Sequence, residues 1–298
     1  MELQHINESK TCRIEERNGI PYITFPKLSQ YEEDMIHGFS TRLGGVSREH
    51  LASMNLSFSR GDDRENVIEN HRRFAAALGY DEKRLVFSDQ VHLTHFYKVT
   101  EADCGKGIVR SSDIKEIDGL ITDEPGIPII TFYADCVPLF FYDPVKRVIA
   151  MAHSGWRGSV ERIGARMVDY MKREYGCKGE NIVCAIGPSI CQSCYEVSED
   201  VALQFIEEFG DSISQGIPGK DRADVALDEL VWAKGEGKYQ LNLHLACKIA
   251  LLEAGIQKEN LDVTDLCTCC NPQFFFSHRA SHGMRGNLAG VMMIKENR

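Results

Sequence analysis

The sequence lacks any long apolar run. The best candidate, Ile127–Tyr142, carries Asp135 in its middle, whereas a membrane span needs about 18 or more consecutive apolar residues. The first residues, MELQHINESKTCRIEERNG, contain no apolar core of a signal peptide. We therefore expect no membrane association and a cytoplasmic location, where cysteines are usually reduced thiols or metal ligands rather than disulfides.

An excess of positive charge is also absent, since 34 lysines and arginines face 44 acidic residues and the net charge is −10. Proteins that bind nucleic acids need basic patches to contact phosphates. The nearest candidate patch is interleaved with acidic residues and consists of Arg42, Arg48, Arg72 and Arg73. The sequence therefore predicts that nucleic acid is not a partner.

Internal repeats and low-complexity linkers are missing as well, and the composition is that of an ordinary globular protein, with 43% hydrophobic and 26% charged residues. Strand and helix patterns are mixed along the chain, which favours one α/β or α+β domain. We predict a single domain over residues 1–298, in which residues 1–30 form an N-terminal strand extension. Only residues 211–224, rich in Gly and Asp, are predicted to be a flexible insert.

Hydrophobic periodicity and turn residues predict the individual elements. A hairpin is expected from Cys12–Glu16 and Ile20–Phe25, joined at Asn18-Gly19. Asp62 or Asp63 is expected to cap the first long helix. The other predicted strands are Leu85–Val91, Gly119–Thr122, Ile129–Tyr142, Arg147–Ala152, Asn181–Gly187, Phe274–Ser277 and Leu288–Ile294. The predicted helices are Arg64–Leu78, Ser159–Tyr175, Glu199–Phe209 and Leu243–Ala254.

Three of the predicted strands end on metal-ligating side chains, namely His92, Cys136 and His153. Active sites collect where strands of α/β proteins end and turn sharply. Two imidazoles and one thiolate are a normal zinc set, and three protein ligands leave a fourth position open, as in catalytic sites. No short-range spacing supports this set, however. The same residues are also consistent with histidines that cap buried strand ends and a small core cysteine.

Eight ordered segments carry a resemblance to a known family over roughly residues 35–295. The chain resembles the laccase-domain (YfiH/YlmD, polyphenol oxidase-like) family. The matching segments are His37–Ser47, Gln90–His92, Asp118–Thr122, Ala134–Leu139, Ala152–Gly158, Gly187–Ile190, Cys194–Val197 and Phe275–Arg279.

The resemblance implies a fold, a metal and an activity. The implied fold is a single-domain α/β/β/α layered sandwich of the α+β class. The histidine of QVH, the cysteine of ADC and the histidine of AHSGWRG bind one zinc ion in the family, which assigns His92, Cys136 and His153 as ligands. The implied reactions are phosphorolysis of adenosine, inosine and methylthioadenosine to base plus ribose 1-phosphate, and deamination of adenosine to inosine.

Two rival functions come with the same resemblance. One is a hydrolase that edits peptidoglycan precursors, with Cys136 as nucleophile beside a histidine. The other is a copper-dependent polyphenol oxidase. Multicopper oxidases need many histidines, typically in His-x-His pairs, and none of the ten histidines forms such a pair. We therefore reject a laccase mechanism and expect copper only as an occupant in vitro.

The expected purine chemistry selects further candidate residues. Deamination needs a proton shuttle beside a zinc-bound water, and Asp135 is the candidate, although it can equally be an acid that orients a histidine.

Guanidinium groups are well suited to bind phosphate, but they can also pair structurally with carboxylates. The candidate arginines are Arg42, Arg157 and Arg279. Trp156 is a candidate for stacking on the purine, and Ser40, Asn55 and Gln90 are candidates for hydrogen bonds to ribose or base.

A second group of cysteines is not used by this chemistry. Cys191-x-x-Cys194 and Cys267-x-Cys269-Cys270 can form a structural zinc clip. They can also be reduced thiols along neighbouring strands. The sequence leaves these alternatives, and the oligomeric state, open.

Overall fold

The computed structural model describes residues 3–7, 11–215 and 226–296. Of the predicted flexible insert, residues 211–215 end a helix and residues 216–224 lie outside the described residues. The strands are β1 (Arg13–Arg17), β2 (Ile20–Thr24), β3 (Met35–Ser40), β4 (Val86–Phe87), β5 (Phe96–Lys98), β6 (Gly119–Thr122), β7 (Ile129–Tyr133), β8 (Val137–Asp143), β9 (Val148–Ser154), β10 (Val183–Ile186), β11 (Glu196–Ser198), β12 (Val231–Gly235), β13 (Lys238–Leu241), β14 (Leu261–Val263) and β15 (Leu288–Ile294).

Seven α-helices accompany these strands within the described residues. They are α1 (Pro26–Ser29), α2 (Arg64–Leu78), α3 (Trp156–Val160), α4 (Ile163–Tyr175), α5 (Glu199–Gln215), α6 (Leu227–Leu230) and α7 (Leu243–Glu253). Among the described residues, no helix is both long and apolar enough to cross a membrane.

Two six-stranded sheets form the centre of the fold. The first has the order β1-β2-β3-β15-β7-β4 and the second the order β14-β10-β8-β9-β6-β5. A small third sheet has the order β11-β13-β12. The N-terminal hairpin is present as predicted, and it joins the first sheet through β3.

The two large sheets pack face to face, and helices cover their outer faces. In β8, Phe140 and Tyr142 point into the core between the sheets, whereas Leu139 and Phe141 point into the core beneath α4, α5 and α7. This alternation follows from the two-residue period of a strand. On the other side, Phe74 of α2 packs on the first sheet. The predicted α/β/β/α layered sandwich of the α+β class is confirmed.

One predicted strand proved to be two. Ile129–Tyr142 was predicted as a single strand, but β7 belongs to the first sheet and β8 to the second. The chain crosses between the sheets at residues 134–136, where Asp135 has a φ of +83°. Both strands are buried on both faces and are apolar on either side of Asp135, so the hydrophobicity of the segment does not distinguish two strands from one.

Other predicted elements differ in detail. The helix Arg64–Leu78 has the predicted bounds, but the side chain of Asp63 at its N-cap makes no capping hydrogen bond. The predicted strand Leu85–Val91 is reduced to the two residues of β4. The predicted helix Ser159–Tyr175 is divided into α3 and α4, because Arg162 adopts a left-handed conformation. The predicted strand Phe274–Ser277 is absent, because Phe274 ends a turn and residues 275–277 are irregular.

Candidate metal centre and adjoining pocket

Three side chains from separate parts of the chain meet where the two large sheets adjoin. His92 lies in the loop after β4, Cys136 directly precedes β8, and His153 is on β9. One ligand atom from each of them lies within 4.8 Å of the others, and Cys136 Sγ is 3.8 Å from His92 Nε2. His92 is exposed and His153 is buried, so the group opens to solvent on one side.

A fully buried carboxylate, Asp118, organises two of these side chains. It accepts backbone N–H bonds from Val91, His92 and Leu93 at 2.9–3.0 Å, which hold His92 in a left-handed conformation with φ of +66°. It also lies 2.7 Å from Nδ1 of His153. A proton on Nδ1 leaves Nε2 of His153 as the free ligand atom, which is the usual role of a carboxylate behind a metal-binding histidine.

Gly155 provides the space that the three side chains need. A Cβ atom at this position would lie 2.6 Å from Cδ2 of His92 and 3.3 Å from Sγ of Cys136. Its φ of −72° is available to any residue. The requirement for glycine here is therefore the close approach of the two side chains, not the backbone conformation.

The electrostatics of the group favour a thiolate. Burial alone would raise the pKa of Cys136, but His153 and His92 outweigh it and lower that pKa to about 6. Burial alone would lower the pKa of His153, but the Cys136 thiolate and the Asp118 carboxylate raise it to about 9. The lowered pKa of Cys136 and the raised pKa of His153 together describe one thiolate–imidazolium pair in the metal-free protein. A thiolate and two histidines anchored in this way fit a zinc ion with one open position.

The first prediction concerns the reactivity of this thiol. In the metal-free protein, we expect Cys136 to be alkylated by iodoacetamide with a rate that stays high at neutral pH and falls as the pH drops through about 6. An ordinary thiol would lose reactivity already below about 8.5. Mass spectrometry of the Cys136 peptide separates it from the other ten cysteines. Bound zinc should protect Cys136, and a pH midpoint near 8.5 would contradict the prediction.

A cavity of about 350 Å³ adjoins the group, and His92, Cys136 and His153 form part of its lining. Aromatic rings form part of its wall, with Phe87 5.0 Å from Phe132 and 6.1 Å from Phe58 between ring centroids. The cavity thus combines an apolar wall with a cluster of metal-ligating atoms, which is the usual composition of a small-molecule site.

Two arginines, Arg60 and Arg285, also line the cavity, and both donate hydrogen bonds to Oδ1 of Asn287. Burial, together with the charge of Arg60, lowers the pKa of Arg285 to about 10. Among the described residues, the buried Nε–H of Arg285 has no acceptor. Two guanidinium groups that share one neutral acceptor favour an anion between them.

The hydrogen-bonding candidates from the sequence have well-defined structural partners. Gln90 lines the cavity, but its amide forms both a donor and an acceptor bond with the backbone of Phe132. Asn55 lies behind the cavity, where its Oδ1 accepts the backbone N–H of Asn287. The hydroxyl of Ser40 accepts the backbone N–H of Ala289 in the core. Asn55 thus supports a residue that lines the cavity.

The arginine and tryptophan candidates do not line this cavity. Arg42 donates to the carbonyls of Ala52 and Pro272. Arg157 stacks on Trp156, with 4.4 Å between the guanidinium carbon and the ring centroid. Arg279 donates to the carbonyls of residues 194 and 196.

Asp135 is buried beside Cys136, but both of its carboxylate oxygens are engaged. Oδ1 accepts the hydroxyl of Thr268 at 2.6 Å, and Oδ2 accepts the backbone N–H of Arg279 at 2.7 Å. Asp118, which contacts His153 directly, was not singled out from the sequence. Its position in the segment Asp118–Thr122, which carries part of the family resemblance, was the available signal.

A layered α+β fold with a two-histidine, one-cysteine centre defines the class of this protein. The chain belongs to the family described as "Multi-copper polyphenol oxidoreductase laccase", whose sequence model matches residues 36–295. The resemblance drawn from the sequence motifs is therefore confirmed.

Similar proteins and structures agree with this assignment. The chain is 35% identical to "Purine nucleoside phosphorylase YlmD" of Bacillus subtilis, over 91% of this chain and 92% of that protein. It is also 35% identical to "Purine nucleoside phosphorylase" of Deinococcus radiodurans, over 92% of this chain and 93% of that protein. The crystal structure of the Bacillus licheniformis hypothetical protein YfiH is 31% identical and covers 95% of this chain and 99% of its own, with a TM-score of 0.82.

Proposed function

We propose that this protein is a zinc-dependent purine nucleoside phosphorylase that also deaminates adenosine. The observation that carries the proposal is one cavity that combines an arginine pair, an aromatic wall and a three-ligand centre. The names of the relatives support the phosphorylase activity. We further propose adenosine, inosine and methylthioadenosine as substrates.

Phosphate is assigned to Arg60 and Arg285. Both line the cavity, and the Nε–H of Arg285 has no acceptor within the described part of the chain. Phosphate oxygens accept hydrogen bonds from the planar guanidinium fork in pairs. His92, Cys136 and His153 line the same cavity as the two arginines, so the anion would share this cavity with the metal-ligating side chains.

The purine base is assigned to the aromatic wall formed by Phe58, Phe87 and Phe132. Offset stacking of a flat heterocycle on such rings is favourable, and it excludes water from the cavity. Ser57, another residue of the lining, is our candidate for polar contact with the ribose, for which its hydroxyl would have to exchange its bonds to Ser59.

In phosphorolysis, an oxygen of phosphate forms a bond to C1′ of the ribose while the bond from C1′ to the purine nitrogen breaks. The departing purine takes up a proton, and the attacking hydrogen phosphate loses one as it becomes the ribose phosphate ester. Arg60 and Arg285 would orient the phosphate and hold its charge, and the aromatic wall would hold the base. In deamination, water adds to C6 of adenine and ammonia leaves.

His92, Cys136 and His153 would hold the zinc ion. When bound, zinc supplies Lewis acidity at this end of the cavity and so favours attack by water on an electrophilic carbon. Asp118 keeps His153 in the ligating tautomer. Asp135 remains our candidate proton shuttle, a role for which its bonds to Thr268 and Arg279 would have to loosen.

The test is chromatography of adenosine incubated with metal-quantified protein, with and without phosphate. We expect adenine and ribose 1-phosphate only when phosphate is present, and deamination in either case, seen as inosine without phosphate and as inosine plus hypoxanthine with it. Absence of all products from zinc-loaded protein would overturn the proposal. Phosphate-independent release of adenine would identify a nucleoside hydrolase instead.

The second prediction concerns Arg285. Replacing it with methionine keeps an unbranched apolar stem and removes the guanidinium group. Loss of a charge-assisted hydrogen bond of this kind costs about 1.5–3 kcal/mol, so we expect the KM for phosphate to rise about 10–100-fold. Deamination, which uses no phosphate, should change far less. Steady-state kinetics against phosphate concentration measure the effect.

Arg157→Met is the matched control, because Arg157 stacks on Trp156 outside the cavity lining. Its KM for phosphate should stay within about twofold of the wild-type value. If Arg157→Met raises this KM and Arg285→Met does not, the phosphate site has been assigned to the wrong arginine.

A further inference from the structure

Four cysteines away from the His92 centre meet at the ends of two neighbouring strands. Cys191 and Cys194 follow β10, and Cys267 and Cys270 follow β14. Because β10 and β14 run parallel as neighbours in one sheet, their carboxyl ends lie at the same edge. The four sulfur atoms all lie within 4.8 Å of one another. We refer to these residues as the four-cysteine group.

The sulfur spacing fits a common central ion. Sγ of Cys270 is 3.4 Å from Sγ of Cys194 and 3.9 Å from Sγ of Cys191. Four thiolates at a Zn–S distance of about 2.3 Å form a tetrahedron with edges of about 3.8 Å. A disulfide would require about 2.05 Å, and the structure describes all eleven cysteines as free thiols.

The backbone around the group aims two amide donors at one of the four sulfur atoms and folds the other segment into a tight turn. The N–H groups of Cys191 and Cys270 both point at Sγ of Cys267, at 3.2 and 3.4 Å. On the other segment, the N–H groups of Cys194 and Tyr195 both bond to the carbonyl of Cys191, which closes a tight turn. Amide donors favour the charged form of an acceptor, and a deprotonated sulfur is the form that binds metal.

We propose that the four-cysteine group binds a second zinc ion with a structural role. Two Cys-x-x-Cys segments supply four thiolates, which fill tetrahedral coordination and leave no position for water or substrate. The ion would therefore stabilise the fold rather than take part in a reaction. Cys269 lies within one segment but is not a member of the group.

The proposed zinc site also supports the neighbourhood of Cys136. Thr268, which lies between the two cysteines of the second segment, donates its hydroxyl to Oδ1 of Asp135. Ile190, just before the first segment, donates its backbone N–H to the carbonyl of Asp135 at 3.1 Å. Asp135 directly precedes Cys136. The second zinc would thus fix both segments that hold the Asp135–Cys136 crossing in place.

The third prediction is a metal count on protein purified under reducing conditions and loaded with zinc. We expect about two zinc ions per chain in the wild type, about one in His92→Ala, about one in the double variant Cys191→Ser with Cys194→Ser, and none when the three changes are combined. Two cysteines are replaced together because three remaining thiolates can still hold zinc. Cys269→Ser, the matched control, should keep two.

Cobalt substitution identifies the ligands of the second ion. Cobalt bound to His92→Ala protein should give the intense sulfur-to-metal charge-transfer absorption of a four-thiolate site. The absorption should persist when Cys269→Ser is added. Removing the ion from His92→Ala protein with a chelator should lower the unfolding temperature, because metal binding to such a site is coupled to folding. This measurement needs no cysteine variant, so it stands if the double variant fails to fold.

Three results would overturn the proposal. They are a zinc-loaded, reduced His92→Ala protein without bound metal, iron in place of zinc in the four-cysteine group, and a Cys194–Cys270 disulfide in the protein as isolated. None of these measurements depends on turnover of nucleosides. A failure of the proposed enzymatic function would therefore leave the second zinc site standing, and a failure of the zinc site would leave the enzymatic function untouched.

Discussion

Asp118→Asn is expected to destabilise the metal-free protein by about 3 kcal/mol and to weaken zinc binding by about 10–100-fold. The carboxylate is fully buried and accepts four hydrogen bonds, three from backbone N–H groups and one from His153. An amide of the same size would turn an NH₂ group towards some of these donors and leave buried N–H groups unpaired. Denaturant unfolding and a competitive zinc titration measure the two effects.

Asp262→Asn is the matched control for a buried carboxylate. Asp262 is buried on β14, where it accepts the backbone N–H of Lys27, and burial raises its pKa. Its replacement should leave zinc binding unchanged and cost little stability. If Asp118→Asn binds zinc as tightly as the wild type, Asp118 does not orient the ligands.

The loss of unfolding free energy caused by Asp118→Asn should depend on pH. Burial alone would raise the pKa of Asp118, but the hydrogen bonds from His153 and the amides outweigh it and hold this pKa below its usual value of about 3.9. A carboxylate with a lowered pKa stabilises the fold above its unfolded-state pKa and loses that contribution as the pH falls through the lower folded-state pKa. The difference in unfolding free energy between wild type and variant should thus narrow below pH of about 4.

The sequence predicted those elements whose ends are marked by polar or turn residues. The helix Arg64–Leu78 has the predicted bounds, because its polar and apolar residues alternate with the helical period and Gly79 ends it. The strand Leu288–Ile294 is buried on both faces, yet it has the predicted bounds because the polar residues Asn287 and Lys295 flank it. Ile129–Tyr142 failed because such a marker is weak inside it. Both of its strands are buried on both faces, so no polar residue except Asp135 marks the crossing between sheets.

The ligand-type residues were visible in the sequence, whereas their surroundings were not. His92, Cys136 and His153 stand at or near strand ends, which is a local signal. Arg60 and Arg285 lie far apart in the sequence and meet only because the loop before α2 folds against the segment before β15. No spacing or periodicity expresses such a contact. Conversely, Arg42 lies in a resembling motif, yet its guanidinium is engaged by backbone carbonyls.

Gly155→Ala is expected to weaken zinc binding and both proposed activities by about 100-fold, with little effect on overall folding. A methyl group at this position would lie 2.6 Å from a ring carbon of His92 and 3.3 Å from the sulfur of Cys136, so at least one ligand must move. A ligand displaced by even about 1 Å no longer holds the ion in the geometry that the reaction needs. A zinc titration, product formation and thermal unfolding measure the three quantities.

Gly158→Ala is the matched control in the same motif, because the nearest atom to its Cβ would be Ile163 Cγ2 at 3.4 Å, an ordinary van der Waals contact. Neither glycine has a positive φ, so both substitutions are compatible with the backbone and differ in what the new methyl group meets. Zinc binding should stay near the wild-type value in Gly158→Ala.

Two outcomes would contradict the prediction. If both variants lose zinc binding equally, the cause is a change in the helix that follows Gly155, rather than in the space between His92 and Cys136. Full zinc affinity in Gly155→Ala would show that the centre can widen, and that the requirement for glycine lies in access of substrate rather than in the ligands.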